Sequence, residues 1–177
     1  MTDMLVKLYE LPPLEPEINK QLTHGINLRR AIAPEKHIIL DWINKNFSSY
    51  WASECDVAFR NSPPSCWIAV EETKVKQTDV KQANLKQTNL KQTKLIAFAC
   101  YDSTCRNFFG PMGVDESMQG KGIGKALVLA CLHDMKTQGY GYGIIGGVGP
   151  IEFYEKTVGA KVIDDSTPGI YGGMLRE

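Results

Sequence analysis

The chain has 177 residues, of which 43% are hydrophobic and 23% are charged, the size and composition of one ordinary globular domain. No run approaches the roughly 18 consecutive apolar residues of a membrane span, and the N-terminus lacks a basic segment followed by an apolar one, so we expect a cytoplasmic protein with no membrane partner. The net charge of zero hides a lysine-rich stretch at residues 74–94, which leaves the rest of the chain mildly acidic; this argues against a nucleic-acid partner and suits a cationic amine substrate.

The first half of the chain alternates between strand-like and helix-like patterns. MLVKLY and INLRRA predict two short strands, because apolar and polar residues alternate. A helix is predicted after Pro34, where apolar residues recur at helical spacing, and YWASECDVAF predicts a second helix that ends at NSPPS. CWIAVEE and KLIAFACYD predict the next two strands, which form a hairpin around the lysine-rich insert at 74–94.

This insert consists of four pentads in register: KQTDV, KQANL, KQTNL and KQTKL. A period of five makes no continuous apolar face on a helix or a strand. The pentads resemble those of a right-handed β-helix, but they supply only about one turn of such a coil, too little to stack a core. We therefore expect a solvated extension of the hairpin, with a partner-binding arm as the alternative.

Further along, FFGPMGV predicts a strand that Gly110 and Pro111 interrupt, which indicates an edge position or a β-bulge. KALVLACLHDMKTQ predicts a helix ended by Gly139, YGYGIIGGV a glycine-rich strand, and PIEFYEKTVG a short helix with Pro150 at its start. AKVID and GIYGGML predict two closing strands. The fold class is therefore α/β or α+β with a mixed sheet, in a single domain over residues 1–177.

The stretch GVDESMQGKGIGKAL indicates a phosphate-binding turn. A Walker loop is excluded, because Gln119 replaces its first glycine and Ala126 replaces its hydroxyl residue. A dinucleotide-binding GxGxxG is excluded as well, because Lys125 occupies its last position. The pattern that fits is QxxGxG, formed by Gln119, Gly122 and Gly124 between a strand and a helix.

Glycines in such a turn let successive backbone N–H groups point into one concavity at a helix N-terminus, where the helix dipole favours a pyrophosphate. Lys121 and Lys125 can add positive charge at its rim. Glycine spacing alone is equally compatible with an ordinary glycine-rich turn before a helix.

The same stretch resembles the acetyl-CoA-binding motif of the GCN5-related N-acetyltransferase (GNAT) family, and FYEKTVGA resembles the next motif of that family. The resemblance covers residues 26–175, with the insert as the main departure. It implies a mixed central sheet flanked by helices, whose fourth and fifth strands splay apart. The acetyl-pantetheine arm of acetyl-CoA, the expected cosubstrate, would lie in that gap like an additional strand.

By this resemblance, the backbones of Met112, Gly113 and Val114 would pair with pantetheine amides. The pyrophosphate is expected on the connection formed by Gln119, Gly120, Lys121, Gly122, Ile123, Gly124, Lys125 and Ala126. Tyr154 lies where the family usually has a tyrosine near the thioester sulfur, so it is expected to contact the cofactor and to protonate the departing thiolate. The alternative is that Tyr154 only packs its helix against the sheet.

The reaction implied is transfer of an acetyl group to a primary amine of a small molecule, by direct attack in a ternary complex; an amino sugar is one candidate acceptor. Many relatives place a glutamate base on the fourth strand, but FFGPMGV has no carboxylate. Glu54 is the candidate base, and Asp56, Asp102 or an ordered water are the alternatives. The missing carboxylate also leaves a second function open, a non-catalytic acetyl-CoA-binding module whose insert docks a partner.

Neither a metal site nor a disulfide framework is expected, because the five cysteines are an odd number without CxxC spacing. We expect them to be reduced and mostly buried. The sequence is compatible with a homodimer and does not specify the oligomeric state.

Overall fold

The computed structural model describes residues 1–74 and 91–176, and the side chains of residues 73, 74, 91 and 92 fall outside that description. Most of the pentad insert therefore lies outside the described residues, and its predicted form stays a prediction. The described part contains seven strands: β1 Asp3–Lys7, β2 Ile26–Arg30, β3 Cys66–Lys74, β4 Lys91–Tyr101, β5 Phe108–Val114, β6 Tyr142–Ile145 and β7 Lys161–Ile163. Its five α-helices are α1 Glu15–Thr23, α2 Lys36–Asn46, α3 Ser49–Ala58, α4 Ile123–Thr137 and α5 Ile151–Val158.

The strands form one mixed sheet in the order β2-β3-β4-β5-β6-β1-β7. All neighbouring strands are antiparallel except β5 and β6, which are parallel. Helix α4 provides the crossover between these two strands, as a parallel pair requires. The mixed sheet with flanking helices confirms the predicted fold class.

Strands β5 and β6 separate soon after they meet. They pair only at Phe108 with Ile144 and at Phe109 with Ile145, while β5 continues to Val114. The resemblance to the family begins at residue 26, where β2 starts, so β5 and β6 are the fourth and fifth strands of the family pattern. The expected splay between them is confirmed.

A β-bulge lies where the separation begins. Phe109 and Met112 of β5 lie opposite Tyr101 and Ala99 of β4, so β5 contains one more residue than its partner over this step. Gly110 in the bulge has φ +123°, which favours glycine, and its carbonyl accepts a hydrogen bond from Ser103 Oγ at 2.6 Å. The bulge predicted from Gly110 and Pro111 is therefore present, but the alternative of an edge strand is wrong, because β5 lies in the middle of the sheet.

Two apolar layers hold the helices to the sheet. On one face α4 is buried almost throughout, and it packs with α1 and α5 against the sheet. On the other face α2 and α3 cover a cluster of aromatic rings around Phe98, formed with Trp42, Phe47 and Trp51. The helical spacing seen in the sequence therefore corresponds to faces that are buried in the fold.

Two predicted details differ from the structure. GIYGGML is not a strand: Gly169–Tyr171 forms a 3₁₀ turn, because Gly169 and Gly173 have positive φ values of 61° and 74° that an extended strand does not allow. Helix α1 was not predicted. Its signals are Pro16 in the first turn, acidic residues beside it and the stop at Gly25, which has φ +73°.

A half-buried polar network ties β2, β3 and β4 to α4. The Asp134 carboxylate of α4 accepts hydrogen bonds from Arg30 and from Trp67 Nε1, both at 2.5 Å. The Tyr101 hydroxyl lies 3.5 Å from the same oxygen. Because these donors come from three strands, the carboxylate helps to fix how α4 lies across the sheet.

Replacing Asp134 with alanine should destabilise the protein by about 1–3 kcal/mol, because it leaves the donors of Arg30 and Trp67 without their acceptor. The matched control is Glu152→Ala, which removes an exposed partner of Lys156 and should cost less than about 0.5 kcal/mol. Urea unfolding of the parent and both variants measures the difference. Equal free energies of unfolding for the two variants would show that the network has no special role.

Candidate active site

The connection from β5 to α4 forms the turn that the glycine pattern predicts. Asp115 begins it, accepting hydrogen bonds from the N–H of Ser117 at 3.0 Å and from its hydroxyl at 2.6 Å. A short 3₁₀ turn, Glu116–Met118, follows. Gly120 and Gly122 then have φ values of 75° and 84°, in the left-handed region where glycine is favoured, and α4 begins directly after them.

The backbone amides of this turn are available for a ligand. Within the described residues, no N–H group from Gly120 to Lys125 donates to an intrachain acceptor; the first to do so is that of Ala126, which bonds to the Gly122 carbonyl at 3.2 Å. Consecutive unpaired amides at the N-terminus of a helix form an anion site. The turn therefore fits a pyrophosphate, whereas Ala126 has its amide paired and its side chain buried.

The side chains around the turn are arranged differently from the expectation. Lys125 forms an ion pair with Glu17 of α1 at 2.6 Å, so its charge is partly neutralised. The Lys121 carbonyl accepts a hydrogen bond from the buried Gln21 amide at 3.1 Å. Lys20 of α1 also lies near, since its Nζ would be 3.7 Å from a Cβ added at Gly122. Sequence reasoning missed these three α1 residues because it missed the helix.

The exposed side of β5 presents backbone groups to the gap. Asp115 N–H bonds to the Ile96 carbonyl of β4 at 2.8 Å, and hydrogen bonds of an antiparallel strand alternate in direction. By that alternation, the N–H and C=O groups of Met112 and Val114 face away from β4, toward the side where β6 has ended. The amide of Gln119 uses one of them, donating to the Val114 carbonyl at 3.4 Å.

Gly113 lies between these two residues, and a neighbouring aromatic ring leaves no room there for a side chain. A Cβ added there would be 2.4 Å from Cζ of the Phe47 ring. The ring thus packs directly on the β5 backbone. Beside it lies an open cavity of about 720 Å³, lined by Asn46 and Phe47 at the end of α2 and by the turn after β5.

Tyr154 of α5 borders the point where the strands separate. Its ring packs edge-on against Phe109 of β5, with centroids 6.3 Å apart, and against Phe153 at 4.9 Å. Burial raises the pKa of Tyr154 to about 12. In the part of the chain that the structure describes, no hydrogen bond reaches its hydroxyl, so this group remains able to donate one.

Glu54 of α3 lies on the opposite face of the sheet and is half-buried. Its carboxylate accepts a hydrogen bond from the Thr104 hydroxyl. Burial raises the pKa of Glu54, and the hydrogen bond from Thr104 opposes that rise. Tyr171 lies against the residues that directly follow β6: its hydroxyl would be 3.6 Å from a Cβ at Gly146, and its ring carbon Cε2 would be 3.2 Å from one at Gly147.

The alternative carboxylates are engaged elsewhere. Asp56 pairs with Lys36 and with Arg60, both at 2.6 Å, and these cations lower its pKa. Asp102 accepts hydrogen bonds from the Asn107 amide at 2.6 Å and from the Tyr140 hydroxyl at 2.8 Å. Of the three candidates, Asp56 is held in ion pairs, whereas neither Glu54 nor Asp102 forms one among the described residues.

The cysteines form a cluster that sequence spacing did not reveal. The sulfur atoms of Cys55, Cys66 and Cys100 lie within 4.8 Å of one another, and all three residues are fully buried as free thiols. They belong to the apolar layer beneath α2 and α3, away from the glycine turn. The expectation of no metal stays a prediction, since these thiols could supply three ligands.

Comparison with known proteins identifies the family. A model of the acetyltransferase (GNAT) family matches residues 36–160, which is more than half of the chain. The chain belongs to the GNAT family. Members of this family use acetyl-CoA as the acyl donor. A comparison with curated proteins found no significant match.

Solved structures share this GNAT fold at low sequence identity. The glucosamine N-acetyltransferase region of a fungal multi-domain GH3 β-N-acetylglucosaminidase aligns with a TM-score of 0.64 and 15% identity, covering 92% of this chain and 19% of that one. A GCN5-related N-acetyltransferase from Sphaerobacter thermophilus aligns with a TM-score of 0.60 and 16% identity, over 92% and 48% of the two chains. A Drosophila protein aligns with a TM-score of 0.54 and 15% identity, over 92% and 47%. This GNAT chain therefore spans half or less of the length of these structures.

None of the described helices is long and apolar enough to cross a bilayer.

The substitution Gly124→Val tests whether acetyl-CoA binds in the gap beside β5. Gly124 lies in the first turn of α4, where a Cβ would point at Met112 and Val114 of β5, 3.8 and 3.7 Å from their side chains. The substitution should therefore leave the helix intact but place methyl groups where the pantetheine arm is expected. At a concentration near 100 times its Kd, acetyl-CoA should stabilise the parent by about 2.7 kcal/mol, and this gain should disappear in the variant.

Differential scanning fluorimetry with and without acetyl-CoA provides the measurement. The control is Gly141→Val, because Gly141 has no neighbour within 4 Å of an added Cβ and lies outside the turn. Gly141→Val should keep the full acetyl-CoA-dependent shift in melting temperature. If Gly124→Val retains the parent's shift, the acyl donor does not lie in this gap.

Proposed function

We propose that this GNAT protein is an N-acetyltransferase that moves the acetyl group of acetyl-CoA to a primary amine of a small molecule, within a ternary complex. The observation that supports this most directly is the splay point of β5 and β6, which a buried tyrosine borders on the face covered by α5, while α3 carries a half-buried carboxylate on the opposite face of the sheet. Such a pair can manage the two protons of the reaction, one removed from the amine and one delivered to the thiolate.

The chain's backbone would position the donor substrate. The unpaired amides from Gly120 to Lys125 would hold the pyrophosphate, with Lys121 nearby and Lys125 already paired to Glu17. The outward groups of Met112 and Val114 would pair with pantetheine amides, as in the addition of a strand to a sheet edge. The Met112 N–H is also a candidate donor to the thioester oxygen, where negative charge develops during attack.

Proton transfer would begin on the acceptor side. A primary amine with a pKa near that of lysine arrives mostly as an ammonium ion, so it must lose a proton before it can attack. The Glu54 carboxylate would accept that proton. The amine lone pair then forms the N–C bond, the C–S bond breaks to leave a thiolate, and the amide nitrogen gives up its second proton, which replaces the one that Tyr154 delivers to the sulfur.

Tyr154 would protonate this thiolate. Because burial raises the pKa of Tyr154 to about 12, the phenol stays protonated across the pH range of an ordinary assay. A free thiol has a pKa of about 8.5, but the same desolvation disfavours a buried thiolate and raises its pKa too. A hydrogen bond from the Tyr154 hydroxyl is therefore available when the sulfur becomes negative.

Two carboxylates near the splay point indicate the chemical class of the acceptor. Glu54 and Asp3 both lie beside Tyr171, and neither carboxylate forms an ion pair in the described part of the chain. Unpaired carboxylates near the splay point favour a cationic acceptor. An amino sugar is one candidate, because a structural neighbour is described as a glucosamine N-acetyltransferase region.

The second candidate function is a non-catalytic acetyl-CoA-binding module, which the absence of a carboxylate from β5 favours. Release of CoA thiol from acetyl-CoA, followed with a thiol reagent over a panel of amino sugars, polyamines and amino acid amines, separates the two functions. An N-acetyltransferase releases thiol only with a suitable amine. A binding module shows the acetyl-CoA-dependent thermal shift and no amine-dependent release.

Tyr154→Phe tests the proton donor, since it removes the hydroxyl while keeping the ring that packs on Phe109. We expect kcat to fall by about 10²- to 10⁴-fold, the usual contribution of general acid catalysis, with little change in melting temperature or acetyl-CoA affinity. Steady-state kinetics on the best amine measures the effect. A purely structural tyrosine would instead give full turnover for Tyr154→Phe and a loss only for Tyr154→Ala.

A further inference from the structure

Three cysteine side chains from separate elements meet beneath α3. Cys66 of β3 and Cys100 of β4 are directly opposite each other in the antiparallel ladder, so their side chains point to the same face of the sheet. Cys55 of α3 packs onto that face, with its sulfur 3.9 Å from the sulfur of Cys66. All three sulfur atoms lie within 4.8 Å of one another. A helix and two strands thus form a three-sulfur cluster that none of them contains alone.

The spacing of the sulfur atoms fits a single bound metal ion. Metal–thiolate bonds are about 2.3 Å long, so three sulfur atoms in a plane around one ion lie about 4.0 Å apart. The sulfur atoms of Cys55 and Cys66 already have nearly this separation, at 3.9 Å. Since no pair in the cluster is more than 4.8 Å apart, a movement of less than about 1 Å closes the three sulfurs around an ion.

The donor atoms of the cluster indicate a soft ion with few ligands. Thiolate sulfur is preferred by Cu(I), by Zn(II) and by iron–sulfur clusters. Among the described residues, no histidine or carboxylate joins the three cysteines, and all three are fully buried, so water does not reach them. Structural Zn(II) sites almost always have four ligands, and iron–sulfur clusters are usually held by four cysteines. A three-coordinate Cu(I) ion fits this ligand set better.

The surroundings of the cluster separate it from the rest of the chemistry in the protein. It lies in the apolar layer beneath α2 and α3, among Ile39, Ile43 and other buried apolar side chains. The charged groups near Cys55 are Asp56 and Lys36, which pair with each other at 2.6 Å. Burial of this kind protects a thiolate-bound ion from solvent and from competing ligands.

Binding exchanges protons for the metal ion. The neighbouring thiols of Cys100 and Cys66 lower the pKa of Cys55 to about 5, whereas burial raises the pKa of Cys100. The sulfur of Cys55 is therefore the one that most readily meets the ion as a thiolate. Cys66 and Cys100 each release a proton when their sulfurs become thiolate ligands. Copper enters and stays as Cu(I), so the step needs no oxidant or reductant.

We propose that Cys55, Cys66 and Cys100 form a structural site for one soft metal ion, with Cu(I) as its occupant, which ties α3 to β3 and β4. The site goes beyond the proposed acetyl transfer and does not depend on it. Cysteine spacing along the sequence did not indicate the site, because only the fold brings the three residues together.

Refolding in the presence of Cu(I) tests the site. The protein is unfolded in urea and refolded without oxygen, with a phosphine reductant and Cu(I) supplied by a weak chelator, since unfolding gives the ion access to thiols that are fully buried in the folded chain. We expect one ion per chain to remain after gel filtration. X-ray absorption at the copper edge should show three sulfur neighbours at about 2.3 Å. The melting temperature should rise above that of the metal-free protein, because the ion binds the folded state.

Single alanine variants identify the ligands. Cys66→Ala and Cys100→Ala each remove one sulfur, so both should lose the retained ion and the rise in melting temperature. The matched control is Cys131→Ala, which removes an equally buried thiol from the layer beneath α4. This control should lose some stability, as any buried truncation does, yet keep the ion and the rise. Enzymatic activity is not the readout, because α3 also carries Glu54.

A double variant keeps the test decisive if an alanine variant fails to fold. Cys105→Ser combined with Cys131→Ala leaves the three cluster cysteines as the only thiols in the chain. Cu(I) bound by three sulfurs in this variant supports the site, whether or not any amine is acetylated. The absence of a retained ion from the parent, retention that survives Cys100→Ala, or fewer than three sulfur neighbours overturns the proposal. Retention of Zn(II) in preference to Cu(I), in a parallel refolding, overturns the choice of ion.

Discussion

The early separation of β5 from β6 is the constraint on which the rest of the site depends. Two residue pairs join these strands, and beyond them the N–H and C=O groups of Met112 and Val114 have no strand partner. Backbone polar groups away from water need hydrogen-bond partners, so the gap favours an extended ligand that carries amides of its own. The fold thus forms a binding site by leaving a strand position open in the middle of a sheet, and the β-bulge at Gly110 marks where the opening begins.

The glycine turn continues that site at the carboxyl end of β5. Its unpaired amides and left-handed glycines provide an anion site made of backbone, which does not depend on long cationic side chains. Helix α1 packs against the turn. Its Gln21 donates a hydrogen bond to the Lys121 carbonyl, and its Glu17 forms an ion pair with Lys125. The acidic partner limits the positive charge at the turn, so affinity for a pyrophosphate would rest mainly on the amides.

The two proposed proton carriers lie on opposite faces because α5 and α3, which carry them, pack on opposite faces of the sheet, and neighbouring residues of β5 point toward these two faces in turn. Phe109 packs against Tyr154 on the face covered by α4 and α5. Phe108 lies beside Gly146 and Tyr171, on the side that leads to Glu54. An acyl group at the splay point would therefore have the proton donor and the proton acceptor on different sides, so the amine could be deprotonated on one side while the departing sulfur is protonated on the other.

The sequence by itself determined the features that depend on local spacing: the strands around the insert, the buried helix α4, the glycine turn before it and the bulge signalled by Gly110 and Pro111. These follow from periodicity and from the conformations that glycine and proline favour, which neighbouring residues alone decide. Only the tertiary structure decided which distant groups meet. It paired Lys125 with Glu17, gathered three cysteine thiols that no spacing relates, and turned GIYGGML from an expected strand into the 3₁₀ turn that brings Tyr171 to the glycines after β6. Contacts of this kind depend on how helices pack across a sheet, so a pattern read along one segment does not contain them.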